Sequence, residues 1–132
     1  MKYFFDTYAL FEIINKNENY LRFSEEELVT SSLNLGELYY GFLKSGNKKT
    51  ALRWFNQFRN HTIQVNEEII RKAMDFKFEN RKKNFSFIDC VGYMAAKEHN
   101  LLFLTGDKEF HSMANVEFVN AAAENKQEKT GK

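Results

Sequence analysis

The chain has 132 residues, a length that suits one domain, and its 43% hydrophobic and 16% aromatic content, with 14 Phe, supplies an aromatic-rich core. A formal net charge of +1 excludes binding to nucleic acid by bulk charge and leaves only a local basic patch for that purpose. The single cysteine, Cys90, excludes an internal disulfide and a cysteine zinc site. No apolar run approaches the roughly 18 residues of a membrane-spanning helix. Asp6 arrives too early for the apolar part of a signal peptide, so the expectation is a soluble, cytoplasmic protein with no membrane partner.

In chain order, residues 2–5 predict a short central strand, and Asp6-Thr7 starts a helix over 8–15 with Leu10, Phe11, Ile13 and Ile14 as its buried stripe. Residues 15–19 read as a polar loop and 28–30 as a strand. A second helix spans 33–43, stopped by Ser45-Gly46-Asn47, and a third spans 48–58. Residues 61–65 suggest a strand, 67–77 a fourth helix, and the basic stretch Asn80-Arg81-Lys82-Lys83-Asn84 a loop. A fifth helix covers 87–98, and the continuous apolar run 101–104 is a buried strand. A short helix over 107–112 and a strand over 116–119 complete the pattern. This alternation predicts one α/β domain over 1–120, three-layered, with a mainly parallel sheet of about four to five strands flanked by helices. Residues 121–132 read as a polar, disordered tail.

Four acids punctuate the chain. Asp6 and Asp107 follow strands, Asp89 lies in the first turn of the fifth helix, and Glu37 lies early in the second. Parallel strands bring their carboxyl ends to one edge, where open α/β sheets bind ligands. Each acid also has an ordinary explanation: Asp6 and Asp107 can cap helices, Ser86 and Asp89 have capping-box spacing, and Glu37 can be a solvated helix residue. Together they form a cluster that repels itself, which a hard divalent cation such as Mg²⁺ or Mn²⁺ neutralises. Thr7, Ser86 and Thr105 are hydroxyls placed to orient the carboxylates or a water, and Gly41 and Gly106 permit close backbone approach.

These motifs carry a family resemblance over nearly the whole chain, from Lys2 to about Val119. Phe4-Phe5-Asp6-Thr7, Glu37-Leu38-Tyr39-Tyr40-Gly41, Phe85-Ser86-Phe87-Ile88-Asp89 and Thr105-Gly106-Asp107-Lys108-Glu109-Phe110 appear in order. The sequence resembles the PIN-domain nucleases, most closely the single-domain toxins of VapC type. One departure is Tyr8, where many relatives carry a small or polar residue. The resemblance implies an endoribonuclease using Mg²⁺ or Mn²⁺, a homodimer and a cognate antitoxin protein. Within such a site Asp6 and Asp89 would hold the principal metal, with Glu37 and Asp107 completing the pocket.

No protein nucleophile is offered, and Cys90 reads as a small buried apolar residue. His61, His99 and His111 show no metal spacing. Candidate phosphate contacts are Arg81, Lys82 and Lys83, which lead into the fifth helix, and Lys48, Lys49 and Arg53 on the third, though charge runs are often only solvated faces. Tyr39, Tyr40, Phe42, Trp54, Phe55 and Phe58 give more aromatic surface than a small domain readily hides, which suits an interface. Competing expectations are a non-toxin RNA-processing or DNA nuclease of the same fold, or an inactive PIN-like binding module.

Overall fold

The computed structural model describes residues 2–121, so all but Ala121 of the expected tail lies outside the described residues. Strand β1 (Tyr3–Phe5) leads into helix α1 (Thr7–Ile14), followed by 3-10 turns over Glu18–Glu25. Then come α2 (Ser32–Lys44), α3 (Lys48–Phe58), α4 (Glu67–Glu79), α5 (Phe87–Glu98), β2 (Leu102–Thr105) and β3 (Val116–Phe118). The strands form a parallel sheet in the order β1-β2-β3, with Phe5 opposite Leu104 and Thr105 opposite Phe118.

The two further strands expected at 28–30 and 61–65 are reduced to one parallel bridge between Thr30 and Thr62. They still continue the sheet: the Phe5 N–H donates to the Val29 carbonyl at 2.8 Å, and the Thr30 N–H to the His61 carbonyl at 2.9 Å. The 28–30 segment cannot lengthen. Ser31 immediately caps α2, and the acids Glu25, Glu26 and Glu27 precede it.

Side chains alternate across β1 and find a core on each face. Phe4 packs with Phe103, Phe110, Val91 and Tyr93 in one cluster, while Tyr3 and Phe5 join Leu104, Leu10, Leu35 and Leu38 in the other. Helices α4 and α5 thus cover one face, and α1 and α2 the other, with α3 packed on α2. Burial on both faces is what a parallel sheet requires. The Phe4 and Phe103 rings stack at 5.9 Å, and Phe103 meets Phe110 at 4.8 Å. Truncating a ring such as Phe4, with no exposed surface, costs about 3–5 kcal/mol.

With no Pro in the chain, the helix starts rest on side-chain caps. Ser31, Asn47, Asn66 and Ser86 each accept an N–H from the first turn of their helix. Gly46, at φ +78, ends α2. The sequence pattern offered nothing for residues 20–25, yet Tyr20 is wholly buried and its hydroxyl donates to the Val119 carbonyl at 2.8 Å. The aromatics expected on α2 and α3 mostly pack on each other, Tyr39 on Phe55 and Trp54 on Phe58, leaving Tyr40 as the exposed ring. Among the described residues no helix is long and apolar enough to cross a membrane.

Candidate active site

The register of β1 and β2 decides where the first acid lies. With Phe5 opposite Leu104, the next residue, Asp6, is level with Thr105, and its N–H donates to the Leu104 carbonyl at 3.2 Å. Asp6 leaves the strand in an extended conformation and caps α1, its carboxylate accepting the Ala9 N–H at 2.8 Å. Only 4% of Asp6 is exposed. The Thr105 hydroxyl bonds to the Asp6 carboxylate and accepts the Asp107 N–H at 3.0 Å, so one side chain ties the ends of two strands together. Asp107 then caps the turn Lys108–Phe110 by accepting the Glu109 N–H at 2.9 Å.

Helix α5 brings the third acid to the same edge. Gly92 faces the sheet, where an added Cβ would lie 3.1 Å from Phe4 and 3.3 Å from Phe103, so the helix lies close. Asp89, one turn earlier, stands in the capping box its spacing predicted. The Ser86 hydroxyl accepts the Asp89 N–H at 3.1 Å, and the Asp89 carboxylate accepts the Ser86 N–H at 2.9 Å. Three of the four acids therefore engage one carboxylate oxygen in a backbone cap. Glu37, half-buried on α2, is the exception.

The charges act on one another. Burial pushes the Asp6 carboxyl up to about 8; the negative fields of Asp89 and Asp107 add to this, and the hydrogen bonds from Thr105 and Ala9 oppose it. Burial likewise raises Asp89, with Asp107 and Glu37 adding and Ser86 opposing. Among the described residues none of the four acids makes an ion pair with Lys or Arg. An all-oxygen donor set without cationic partners fits a hard divalent ion. The carboxylates do not form a closed shell: among the described residues no three His, Cys, Asp or Glu side chains converge tightly enough to hold a metal as they stand. They share an electrostatic field, and ligation requires side-chain convergence.

Of the expected supporting hydroxyls, Thr105 and Ser86 touch the acids, but Thr7 does not bond to one. Its Oγ1 accepts from the Asn34 Nδ2 at 3.0 Å, and the Asn34 Oδ1 accepts from the Ser31 hydroxyl at 2.6 Å. This Ser31-Asn34-Thr7 chain, buried at Ser31 and Asn34, locks the start of α1 to the start of α2, the helix that carries Glu37. Sequence reasoning missed Asn34, whose one signal was a polar residue on an otherwise apolar helix face. Gly41 and Gly106 are close-approach points: an added Cβ would lie 2.6 Å from the Phe11 ring at Gly41, and 2.3 Å from the Tyr8 ring and 2.8 Å from the Val119 carbonyl at Gly106.

Arg81, Lys82 and Lys83 are exposed in the loop before α5. Lys83 Nζ reaches the Glu109 carbonyl at 3.4 Å, which attaches this loop to the turn capped by Asp107. Arg81 lies over Phe78 at 4.3 Å, and with Met74, Lys77 and Lys83 they line a hollow of about 320 Å³. Lys48, Lys49 and Arg53 are exposed on α3, which packs chiefly on α2, and the charges acting most on Asp6 and Asp89 do not include them. Cys90 is fully buried, its thiol pushed up to about 11 by burial. His99 Nδ1 lies 2.9 Å from the Ala95 carbonyl at the end of α5, a helix-end contact.

The family model of the PIN domain matches residues 3–116. No curated protein sequence matches the chain significantly. Among solved structures, VapC20 of Mycobacterium tuberculosis, a Sarcin-Ricin loop cleaving toxin, has a TM-score of 0.75 at 16% identity, over 90% of this chain and 98% of that one. VapBC-1 of nontypeable Haemophilus influenzae has a TM-score of 0.67 at 20% identity, covering 89% and 96% of the two chains. The DNA-bound VapBC of Salmonella typhimurium has a TM-score of 0.68 at 20% identity, over 89% and 96%. At these identities the likeness is one of fold.

Proposed function

The chain belongs to the PIN-domain family, and from that premise we propose that it is a metal-dependent endoribonuclease, the toxin of a toxin–antitoxin pair. One observation carries this reading: four carboxylates share the carboxyl edge of a parallel sheet with no Lys or Arg partner among the described residues. Asp6 and Asp89 would hold Mg²⁺ or Mn²⁺, with Glu37 and Asp107 completing the site directly or through water. Such an ion, when bound, supplies Lewis-acid activation of a water and neutralises charge developing at the phosphate.

The chain's own residues do the positioning. Thr105 fixes Asp6 and, through the Asp107 backbone, the turn beyond it. The caps from Ala9, Ser86 and Glu109 hold Asp6, Asp89 and Asp107 in place at the sheet edge. Arg81, Lys82 and Lys83 would take the phosphate backbone of a single strand. Lys49 and Arg53 remain weaker candidates for that role. An apolar hollow of about 280 Å³ lined by Gly36, Tyr39, Leu52 and Phe55 supports a protein partner, a second copy or an antitoxin. The likeness of fold to a toxin–antitoxin complex from Klebsiella pneumoniae favours that partner class. The expected setting is the cytoplasm.

The test is cleavage of a pool of single-stranded and structured RNAs with Mg²⁺, with Mn²⁺ and with EDTA, beside Asp89→Asn. Metal-dependent cuts that vanish in the variant support the reading. No cuts and no Mn²⁺ binding would sink it in favour of an inactive binding module.

A further inference from the structure

Tyr8 is a side chain at this edge that neither the caps nor the acid cluster uses. It is the second residue of α1, two positions after Asp6, and 36% of it is exposed. Its ring lies against Gly106, which sits between Thr105 and Asp107; an added Cβ there would be 2.3 Å from the ring. Tyr8 therefore fills the gap between the helix started by the first acid and the turn capped by the last. The ring is supported from one side and open on the other.

Two further observations separate Tyr8 from the core aromatics. Phe11, Tyr39, Trp54 and Phe103 each pack on another ring, whereas Tyr8 packs on none among the described residues. Its hydroxyl makes no hydrogen bond to a described residue, although the buried Tyr20 and Tyr93 both donate to carbonyls. A ring held in place, uncommitted and partly open suits contact with a planar ligand group. Beside a site that cuts nucleic acid, that group is a nucleobase, since every base offers a π face.

We propose that Tyr8 is a substrate-positioning residue whose ring stacks on the base flanking the scissile phosphate and so sets the register of the RNA strand over the acids. This rests on the ribonuclease reading above. The neutral ring gives an anionic strand an attractive contact at an edge otherwise lined with carboxylates, and the absence of a side chain at Gly106 lets the ring rest on the turn.

The experiment compares wild type, Tyr8→Leu and Tyr8→Phe on an oligoribonucleotide that wild type cuts in the RNA pool, and on a series of that oligonucleotide with one abasic position each. Leu keeps apolar bulk against Gly106 but offers no ring face, and urea midpoints check that each variant is folded. Stacking predicts a fall of about 5- to 100-fold in kcat/KM for Tyr8→Leu, and rescue of most of that loss by Tyr8→Phe. One abasic position should impair wild type by a similar factor and cost Tyr8→Leu nothing more. Wild-type rates in folded Tyr8→Leu, an equal loss in Tyr8→Phe, or abasic effects identical in wild type and Tyr8→Leu would each overturn the proposal while leaving the nuclease intact. A wild-type protein that cuts no RNA with either metal removes the ribonuclease reading, and this inference with it.

Discussion

Asp6→Asn in metal-free buffer should make the protein more stable, by an amount that grows with pH. The folded-state value of about 8 lies above the unfolded value of 3.8, so the folded chain binds the Asp6 proton more tightly than the unfolded one. Stability from this group is complete below 3.8, declines as pH rises, and levels off above about 8. At pH 7 the unfolded chain has released this proton while the folded chain largely retains it. At about 1.4 kcal/mol per pH unit above 3.8, wild type forgoes about 4 kcal/mol at pH 7. Asn carries no charge to desolvate, caps a helix as well as Asp does, and keeps an oxygen for the Ala9 N–H. Urea unfolding in EDTA between pH 5 and 8 measures the difference. With a slope near 2 kcal/mol per M, the Asn midpoint should lie higher by about 2 M at pH 7, with a gap that narrows toward pH 5. Saturating Mn²⁺ should stabilise wild type and leave Asp6→Asn nearly unchanged. An Asn variant less stable than wild type at pH 7, or a gap indifferent to pH, would refute the claim that burial strains this carboxylate.

Further outcomes follow from other contacts. Gly106→Ala should cost about 1–3 kcal/mol in urea unfolding, because the new methyl meets the Val119 carbonyl as well as the Tyr8 ring; combining it with Tyr8→Ala should recover part of the loss, and strict additivity would count against the contact. Cys90 should resist a thiol reagent at pH 8 in the native protein and react fully in urea, since its thiol is pushed up to about 11 and buried; rapid native labelling would contradict this. Reversing Arg81, Lys82 and Lys83 to Glu should weaken RNA binding and flatten its dependence on log salt by about 2 units, and an unchanged slope would remove the loop from the interface.

Where sequence and structure agree, the residues carry local instructions. Asp6-Thr7 after an apolar run, Ser86 three residues before Asp89, and Gly46 after Leu43-Lys44 each specify an element end by chemistry within a few positions, and the helices start or stop there. The alternation of strands and helices likewise gave the layers, because both faces of β1 are apolar. What stayed hidden depends on distant partners. The turns Glu18–Glu25 exist because Tyr20, Asn17 and Asn19 bond to the chain after β3, about a hundred residues away. The strand at 28–30 stays short because Ser31 caps α2 directly after it and Glu25, Glu26 and Glu27 precede it, and the segment 61–65 runs straight into Asn66, the cap of α4. Of the candidate site, the placement of Asp6 and Asp107 after strands and of Asp89 and Glu37 early in their helices was legible in the sequence. The Asn34 clamp and the Tyr8–Gly106 contact were not, since each joins segments far apart in sequence.

On the reading proposed above, Asp6, Asp89 and Asp107 serve the site as well as the helix or turn starts, and that double duty sets how the activity would be lost by mutation. A single transition in an Asp codon yields Asn, which accepts the same N–H bonds but brings no charge. Such a change removes the electrostatic demand of the site while the hydrogen bonds that start α1 and α5 persist. On the ribonuclease reading proposed above, loss of activity therefore has a one-step route that yields a folded, inert chain in place of an aggregate. A chain of this kind keeps its surfaces, so on the same reading it would still occupy the partner proposed above.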